Sequence, residues 1–292
     1  MKKQIGIGLN ADWINGDDRN LRSCLEMAQK SGGNCCELIM HSMDVLLNSK
    51  LLEPRVSAVK QILMDFGFTY SIHMPYSFHP FAIGEADRFT FFKSCIDFTK
   101  QIGGKNITVH ASPIARGDKD GLLKDIAYYQ EIAHYAGDIR IGIENPYYSG
   151  DMEKFRTMLG VNPDSLAEHI QKIGCGNCGI TLDFGHAYLS SKNYNRDYIS
   201  DIRKMAPLAV HLHVHDNFGR HGEINNYMDN FSKGIGDLHL PPSWGEIPWQ
   251  SVLPLFEEYH GIYILETEFR FYDYFHTGVQ FLNEFPNCSG LA

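Results

Sequence analysis

Short apolar runs rich in β-branched residues alternate along this chain with longer stretches whose apolar residues recur at helical spacing. The runs predict strands at Gln4–Leu9, Asn34–Met40, Phe68–His73, Asn106–His110, Ile139–Glu144, Gly179–Asp183, Ala209–His213 and Ile262–Glu266. The stretches between them predict helices, among them Arg19–Ser31, Pro54–Phe66, Ala86–Ile102, Leu122–Tyr135, Ser165–Ile173, Trp249–Tyr259 and Tyr272–Glu284. Gly32-Gly33, Gly67, Gly103-Gly104 and Gly261 precede several of the strands, where glycine caps a helix C-terminus. Repeated strand–helix units predict an α/β fold, a (β/α)8 TIM barrel forming a single domain over residues 1–292. The alternative of an open doubly wound sheet is disfavoured by the eight runs and by the residues at their ends. One segment breaks the rhythm. Residues 217–246 carry little periodicity and are rich in Gly, Asn, Asp and His, which predicts a functional loop, by ligand donation, as a lid, or both.

Composition narrows the class. With 43% hydrophobic and 12% aromatic residues the chain is too apolar for disorder. A net charge of −9 argues against broad affinity for nucleic acid or a membrane surface. No run of about 18 apolar residues predicts a transmembrane helix. The first twenty residues lack the pattern of a signal peptide, so the expected location is cytoplasmic. Seven cysteines, an odd number in a chain of this size, predict reduced thiols rather than a disulfide framework. The lone C-x-x-C at Cys175 and Cys178 is read as thiols beside a strand. A homo-oligomer is compatible with all of this.

The chemistry sits where the apolar runs stop. The third ends in Ser71-Ile72-His73, the fourth in Thr108-Val109-His110, the fifth in Gly142-Ile143-Glu144-Asn145. The sixth ends in Thr181-Leu182-Asp183 with His186 three residues on. The seventh reads His211-Leu212-His213-Val214-His215-Asp216-Asn217, and the eighth ends in Ile264-Leu265-Glu266. In a barrel these ends face one mouth, so the histidines and carboxylates converge. Those side chains suit Zn²⁺, Mn²⁺, Co²⁺ or Fe²⁺. Buried carboxylates in such numbers are costly unless paired or metal-bound. Alternation puts His211, His213 and His215 on one face, with His213 best placed as a ligand and His215 and Asp216 behind it or at the substrate.

At these residues the chain resembles the xylose isomerase-like barrel superfamily, which includes sugar isomerases, 3-epimerases and the endonuclease IV apurinic-site nucleases. The resemblance runs from His73 to Glu266, through Ile143-Glu144-Asn145, Leu182-Asp183-Phe184-Gly185-His186, His213-Val214-His215-Asp216-Asn217, Asp237-Leu238-His239 and Leu265-Glu266-Thr267. The sugar epimerase pattern implies a metal held by Glu144, Asp183, His213 and Glu266, with His186 on the substrate. The endonuclease IV pattern implies up to three zinc ions, adding His73, His110, His186, Asp237 and His239. All nine positions carry the matching residue type. The stretches after His110, Glu144-Asn145, Asp183 and His213 depart from the nuclease pattern toward the isomerase and epimerase branch, as does the longer spacing from His213 to Asp237.

The resemblance therefore implies an isomerase or epimerase of a sugar or sugar phosphate. Glu144 and Glu266 would exchange protons with carbons next to the carbonyl, through an enediolate stabilised by a divalent metal such as Zn, Mn or Co. Substrate contacts are expected from His186, His215, Trp13 and Tyr76, with Phe78, Trp244 and Trp249 as further apolar walls. The expected partner is a small carbohydrate. The alternatives are a zinc-dependent apurinic-site phosphodiesterase and a dehydratase or lyase that begins with the same proton abstraction. The nuclease lacks an obvious basic groove here, since Arg116, Lys119, Arg220 and Arg270 are scattered.

Overall fold

In the computed structural model, residues 3–80, 85–147, 154, 157–221 and 227–284 are described. Eight parallel strands close a barrel: β1 (Gln4–Gly8), β2 (Cys35–Ile39), β3 (Thr69–His73), β4 (Asn106–His110), β5 (Arg140–Glu144), β6 (Cys178–Asp183), β7 (Ala209–Val214) and β8 (Ile262–Leu265). Each strand pairs with its neighbour in sequence, and β8 closes on β1 with Gln4 opposite Ile262. All five residues of β2 and all six of β6 are buried, the near-continuous burial expected where a parallel sheet is covered on both faces. Every strand predicted from the sequence is present, with ends within two residues of the expectation.

Outside the barrel lie α1 (Asp18–Lys30), α2 (Glu53–Met64), α3 (Glu85–Gln101), α4 (Lys119–Ala136), α5 (Pro163–Ile173), α6 (Phe184–Asn193), α7 (Tyr198–Met205) and α8 (Phe275–Glu284). Their ends follow capping chemistry. Asp17, Asn162 and Asp197 accept backbone N–H groups at the starts of α1, α5 and α7, and Gly174 ends α5 in the left-handed region. The expected helix at Trp249–Tyr259 is only a short turn, Trp249–Val252, followed by a 3-10 segment at Leu253–Phe256. Pro254 lacks the N–H that would continue an α-helix there. The last helix starts later than expected, at Phe275, after 3-10 geometry over Phe269–Tyr274.

The barrel interior is polar in its upper half. Glu37 on β2 reaches His211 and His213 on β7 across the barrel, and Thr108 meets Thr181 at 3.0 Å. Both histidines and Glu37 are buried. Cys24, Cys35, Cys36, Cys95, Cys175 and Cys178 are free thiols, while Cys288 lies outside the described residues. Among the described residues no cysteine joins a cluster of metal-donor side chains. None of the described helices is long and apolar enough to cross a membrane.

Candidate metal centre

Strand register sets the centre. His110 pairs with Glu144 between β4 and β5, and Asp183 pairs with His213 between β6 and β7. The side-chain amide of Asn145 binds the backbone of Asp183 twice, at 2.9 Å each way, which locks the tops of β5 and β6 together. Asp183 is the last residue of β6 and also the N-cap of α6, its Oδ1 accepting from His186 N at 2.6 Å. One carboxylate thus ends a strand, starts a helix and delivers His186 to the same mouth.

Four imidazole nitrogens surround the buried Glu144. His73 Nε2 lies 3.2 Å and His110 Nε2 3.4 Å from Oε2. His186 Nδ1 lies 3.2 Å and His213 Nδ1 3.4 Å from Oε1. His213 Nδ1 is also 3.1 Å from Glu266 Oε2 and 3.8 Å from Asp183 Oδ2. On the far side, Asp237 Oδ2 accepts from His186 Nε2 at 3.0 Å and His239 Nε2 at 2.9 Å. Backbone carbonyls orient two of these rings. His73 Nδ1 donates to Met74 O and His239 Nδ1 donates to Glu266 O, both at 2.6 Å, which turns Nε2 inward in each case. His239 does this from a positive φ of 46°, a conformation that a residue other than glycine keeps only when its surroundings hold it.

The electrostatics match a cation site. Burial disfavours the Glu144 charge, yet the charge of His213 and a hydrogen bond from His186 override it and hold the carboxyl well below its usual range. Burial pushes His110 down to about 4, leaving it a neutral ring with a free lone pair. Burial would lower His239 as well, but Asp237 beside it carries it up to about 10. Both ring nitrogens of His213 are buried without a well-formed hydrogen bond, although three carboxylates stand around Nδ1 and a fourth, Glu37, beside Nε2. A divalent ion bound by Nδ1 and the three carboxylates around it satisfies those four groups. Three donor groups lie side by side: His73, His110 and Glu144; Glu144, Asp183, His213 and Glu266; His186, His215, Asp237 and His239.

These groups open onto a cavity of about 330 Å³. Of the nine residues implied by the nuclease resemblance, His73, His110, Glu144, His186, Asp237, His239 and Glu266 line it. Asp183 and His213 are fully buried just beneath. Tyr76 is half-exposed on the wall, its ring 5.2 Å from His73. Trp13 is not on the wall; it stacks at 5.5 Å on Phe269, which is. Phe78 and Trp249 are core residues, and Trp244 packs on Phe271 and Tyr274. None of Arg116, Lys119, Arg220 and Arg270 lines the cavity. Phe218 and Phe231 in the long loop are partly buried, beneath Arg220 and Arg270.

His215 does not reach the cavity. It is fully buried, and its Nε2 donates to Asp183 at 3.1 Å from both oxygens. Gly185 makes room for it, because a Cβ at that position would overlap the His215 imidazole. Gly185→Ala is therefore expected to displace His215, free Asp183 and weaken metal binding by about tenfold or more. Titration of metal-free protein with Co²⁺ checks this, and unchanged affinity would assign His215 to packing alone.

Glu37 was not among the residues picked out from the sequence. It lies in mid-strand inside an apolar run, Cys35–Ile39, with no polar neighbour to mark it. The available signal was a carboxylate placed where only a buried partner would compensate it.

Residues 25–282 match the family model described as xylose isomerase-like TIM barrel, and the chain belongs to that family. Among its relatives is an uncharacterized protein, MJ1311, of Methanocaldococcus jannaschii, 22% identical over 92% of this chain and 89% of the relative. A D-tagatose 3-epimerase-like protein superposes with a TM-score of 0.68 at 21% identity, covering 96% of each chain. The probable 3-DHS dehydratase AsbF of Bacillus anthracis superposes with a TM-score of 0.72 at 12% identity, covering 97% of this chain and 98% of that one. At such identities these two likenesses establish the shared fold. Membership of that family supports an enzyme at a coarse level.

Proposed function

We propose that the chain is a divalent-metal-dependent isomerase or epimerase acting on a small, unphosphorylated sugar. The observation that carries this reading is the group Glu144, Asp183, His213 and Glu266, whose ligand atoms lie within 4.8 Å of one another below the small cavity. No lysine or arginine stands among the described residues that line that cavity, so a phosphate would find neither of the permanent cations that commonly hold it there. A neutral polyol suits it better.

Glu144 and Glu266 flank His213 Nδ1 and offer two carboxylates to one substrate position. One takes the proton from the carbon next to the carbonyl, and that C–H electron pair moves toward the carbonyl oxygen. The other, protonated at the start, gives its proton to the opposite face of the same carbon, for epimerisation, or to the former carbonyl carbon, for isomerisation, in which case the proton of the adjacent hydroxyl passes to the former carbonyl oxygen. Glu144, Asp183, His213 and Glu266 would hold a divalent cation, which would supply Lewis acidity to the carbonyl. His186 faces the cavity and is held by Asp237, in position to orient a substrate hydroxyl. Tyr76 and Phe269 wall the sugar ring and exclude water.

A second reading has a specific observation behind it. The flanking groups at His73/His110 and at His186/Asp237/His239 supply donors for further cations, which suits phosphodiester hydrolysis at abasic sites. Elemental analysis of protein purified without added metal separates the two. About one Mn²⁺, Co²⁺ or Zn²⁺ per chain is expected, unchanged in His239→Ala, together with solvent deuterium entering a ketose beside its carbonyl. Two or three zinc ions per chain, with cleavage of an abasic oligonucleotide and no exchange, would sink the isomerase reading.

A further inference from the structure

Below the metal centre lies a second layer that the proposed reaction does not use. Glu37 is 1% exposed, and it faces two histidines that are fully buried. Its Oε2 pairs with His211 Nε2 at 2.8 Å, and its Oε1 stands 2.8 Å from His213 Nε2, in ion-pair contact but off the line of a well-formed hydrogen bond. The same His213 ring points its other nitrogen, Nδ1, at Glu144 and Glu266. An imidazole bridging a buried carboxylate and a metal-donor cluster has one arrangement that satisfies both ends. Nε2 carries the proton toward Glu37, and Nδ1 keeps its lone pair for the cation. The opposite tautomer aims a lone pair at a carboxylate oxygen in a medium where such a clash is unscreened.

We propose that Glu37, clamped by His211, is the positioning residue of the metal centre: it fixes the tautomer and ring angle of His213 and raises the donor strength of Nδ1. The three side chains come from β2 and β7, which are not neighbours in the barrel, so the clamp ties the ligand to the opposite wall. His211 supplies what a lone Glu37 lacks, a donor for the oxygen that His213 leaves over. This inference rests on the metal centre and holds for either reaction discussed above.

The test is a Co²⁺ titration of metal-free protein, followed by visible absorption and by competition with a chelator. Glu37→Gln keeps the shape but removes the charge, and it is expected to bind Co²⁺ about 10- to 100-fold more weakly. Its absorption bands should shift, which a change in packing alone would not produce. His211→Gln, which returns one donor to Glu37, should keep most of the affinity. Wild-type affinity and unshifted bands in a folded Glu37→Gln would overturn the proposal while leaving the centre in place. Failure of the wild type to bind Co²⁺ would remove the centre itself, and this role with it. Should Glu37→Gln not fold, NMR of wild-type protein carrying ¹⁵N-histidine decides the matter. In the Zn²⁺-loaded protein a proton on His213 Nε2 is expected, and a bare Nε2 there would overturn the assignment.

Discussion

Glu144→Gln is expected to abolish metal retention and to cut turnover by a factor of about 10³ to 10⁴. Among the described residues of the centre only His213 has as many ionisable neighbours as Glu144. The two Glu144 oxygens lie within 3.2–3.4 Å of nitrogens from His73, His110, His186 and His213, which come from β3, β4, α6 and β7. Glutamine preserves the volume but replaces one acceptor by a donor and removes the charge. Two of the four imidazoles then face an N–H₂ group, and the cation loses an anionic ligand in a site shielded from water. The substitution is near-isosteric, so the fold should persist, which circular dichroism checks. Elemental analysis should find the purified variant nearly metal-free where wild type is loaded. Equal metal content and equal activity in the two proteins would mean that the centre has been misplaced.

The barrel was legible because its strands are short, apolar and separated by helices of ordinary length. The convergence of His73, His110, Glu144, Asp183, His213 and Glu266 followed from their positions at strand ends, since a closed barrel sends all such ends to one mouth. What the sequence hid was of a different kind. The helix α6 begins at the residue after β6 with no intervening turn, so no linker announced it. Glu37 has its partners on β7, more than 170 residues away, and nothing local hints at them. His215 shares the alternation of His211 and His213, which left it either behind the ligands or at the substrate. It lies past the end of β7, where the backbone turns it behind Asp183. Trp13 is near the mouth but spends its face on Phe269. Periodicity reads which face a residue occupies; it does not read which neighbour has already claimed the space.

The long loop after β7 illustrates the same limit and yields the largest expected effect on stability. Lack of periodicity suggested ligand donation, a lid, or both; Asp237 and His239 do stand in a donor cluster, and one buried side chain at the root anchors the segment near both ends. Asp216 accepts from Asn217 N and Ser243 N at 2.9 Å, Ile247 N at 3.2 Å and Trp249 Nε1 at 2.9 Å. Its backbone also bridges Leu240 in both directions. Burial pushes the Asp216 carboxyl up even against these four donors, so its value to the fold lies in the acceptors it provides rather than in its charge. Asp216→Ala leaves the donors without a partner in a site closed to bulk water. An unsatisfied buried donor costs about 1–3 kcal/mol, and with partial relaxation the total is expected near 3–5 kcal/mol, a large share of a domain's stability. Urea denaturation monitored by tryptophan fluorescence measures it, Trp249 being a direct reporter. Because Leu240 follows His239 in the chain, the same variant should loosen His239 and Asp237 while leaving Glu144, Asp183 and Glu266 in place. Metal bound by the central four residues should therefore survive in the fraction that remains folded. Stability within about 1 kcal/mol of wild type would show that the loop is held by its aromatic contacts instead, and that Asp216 is dispensable to the fold.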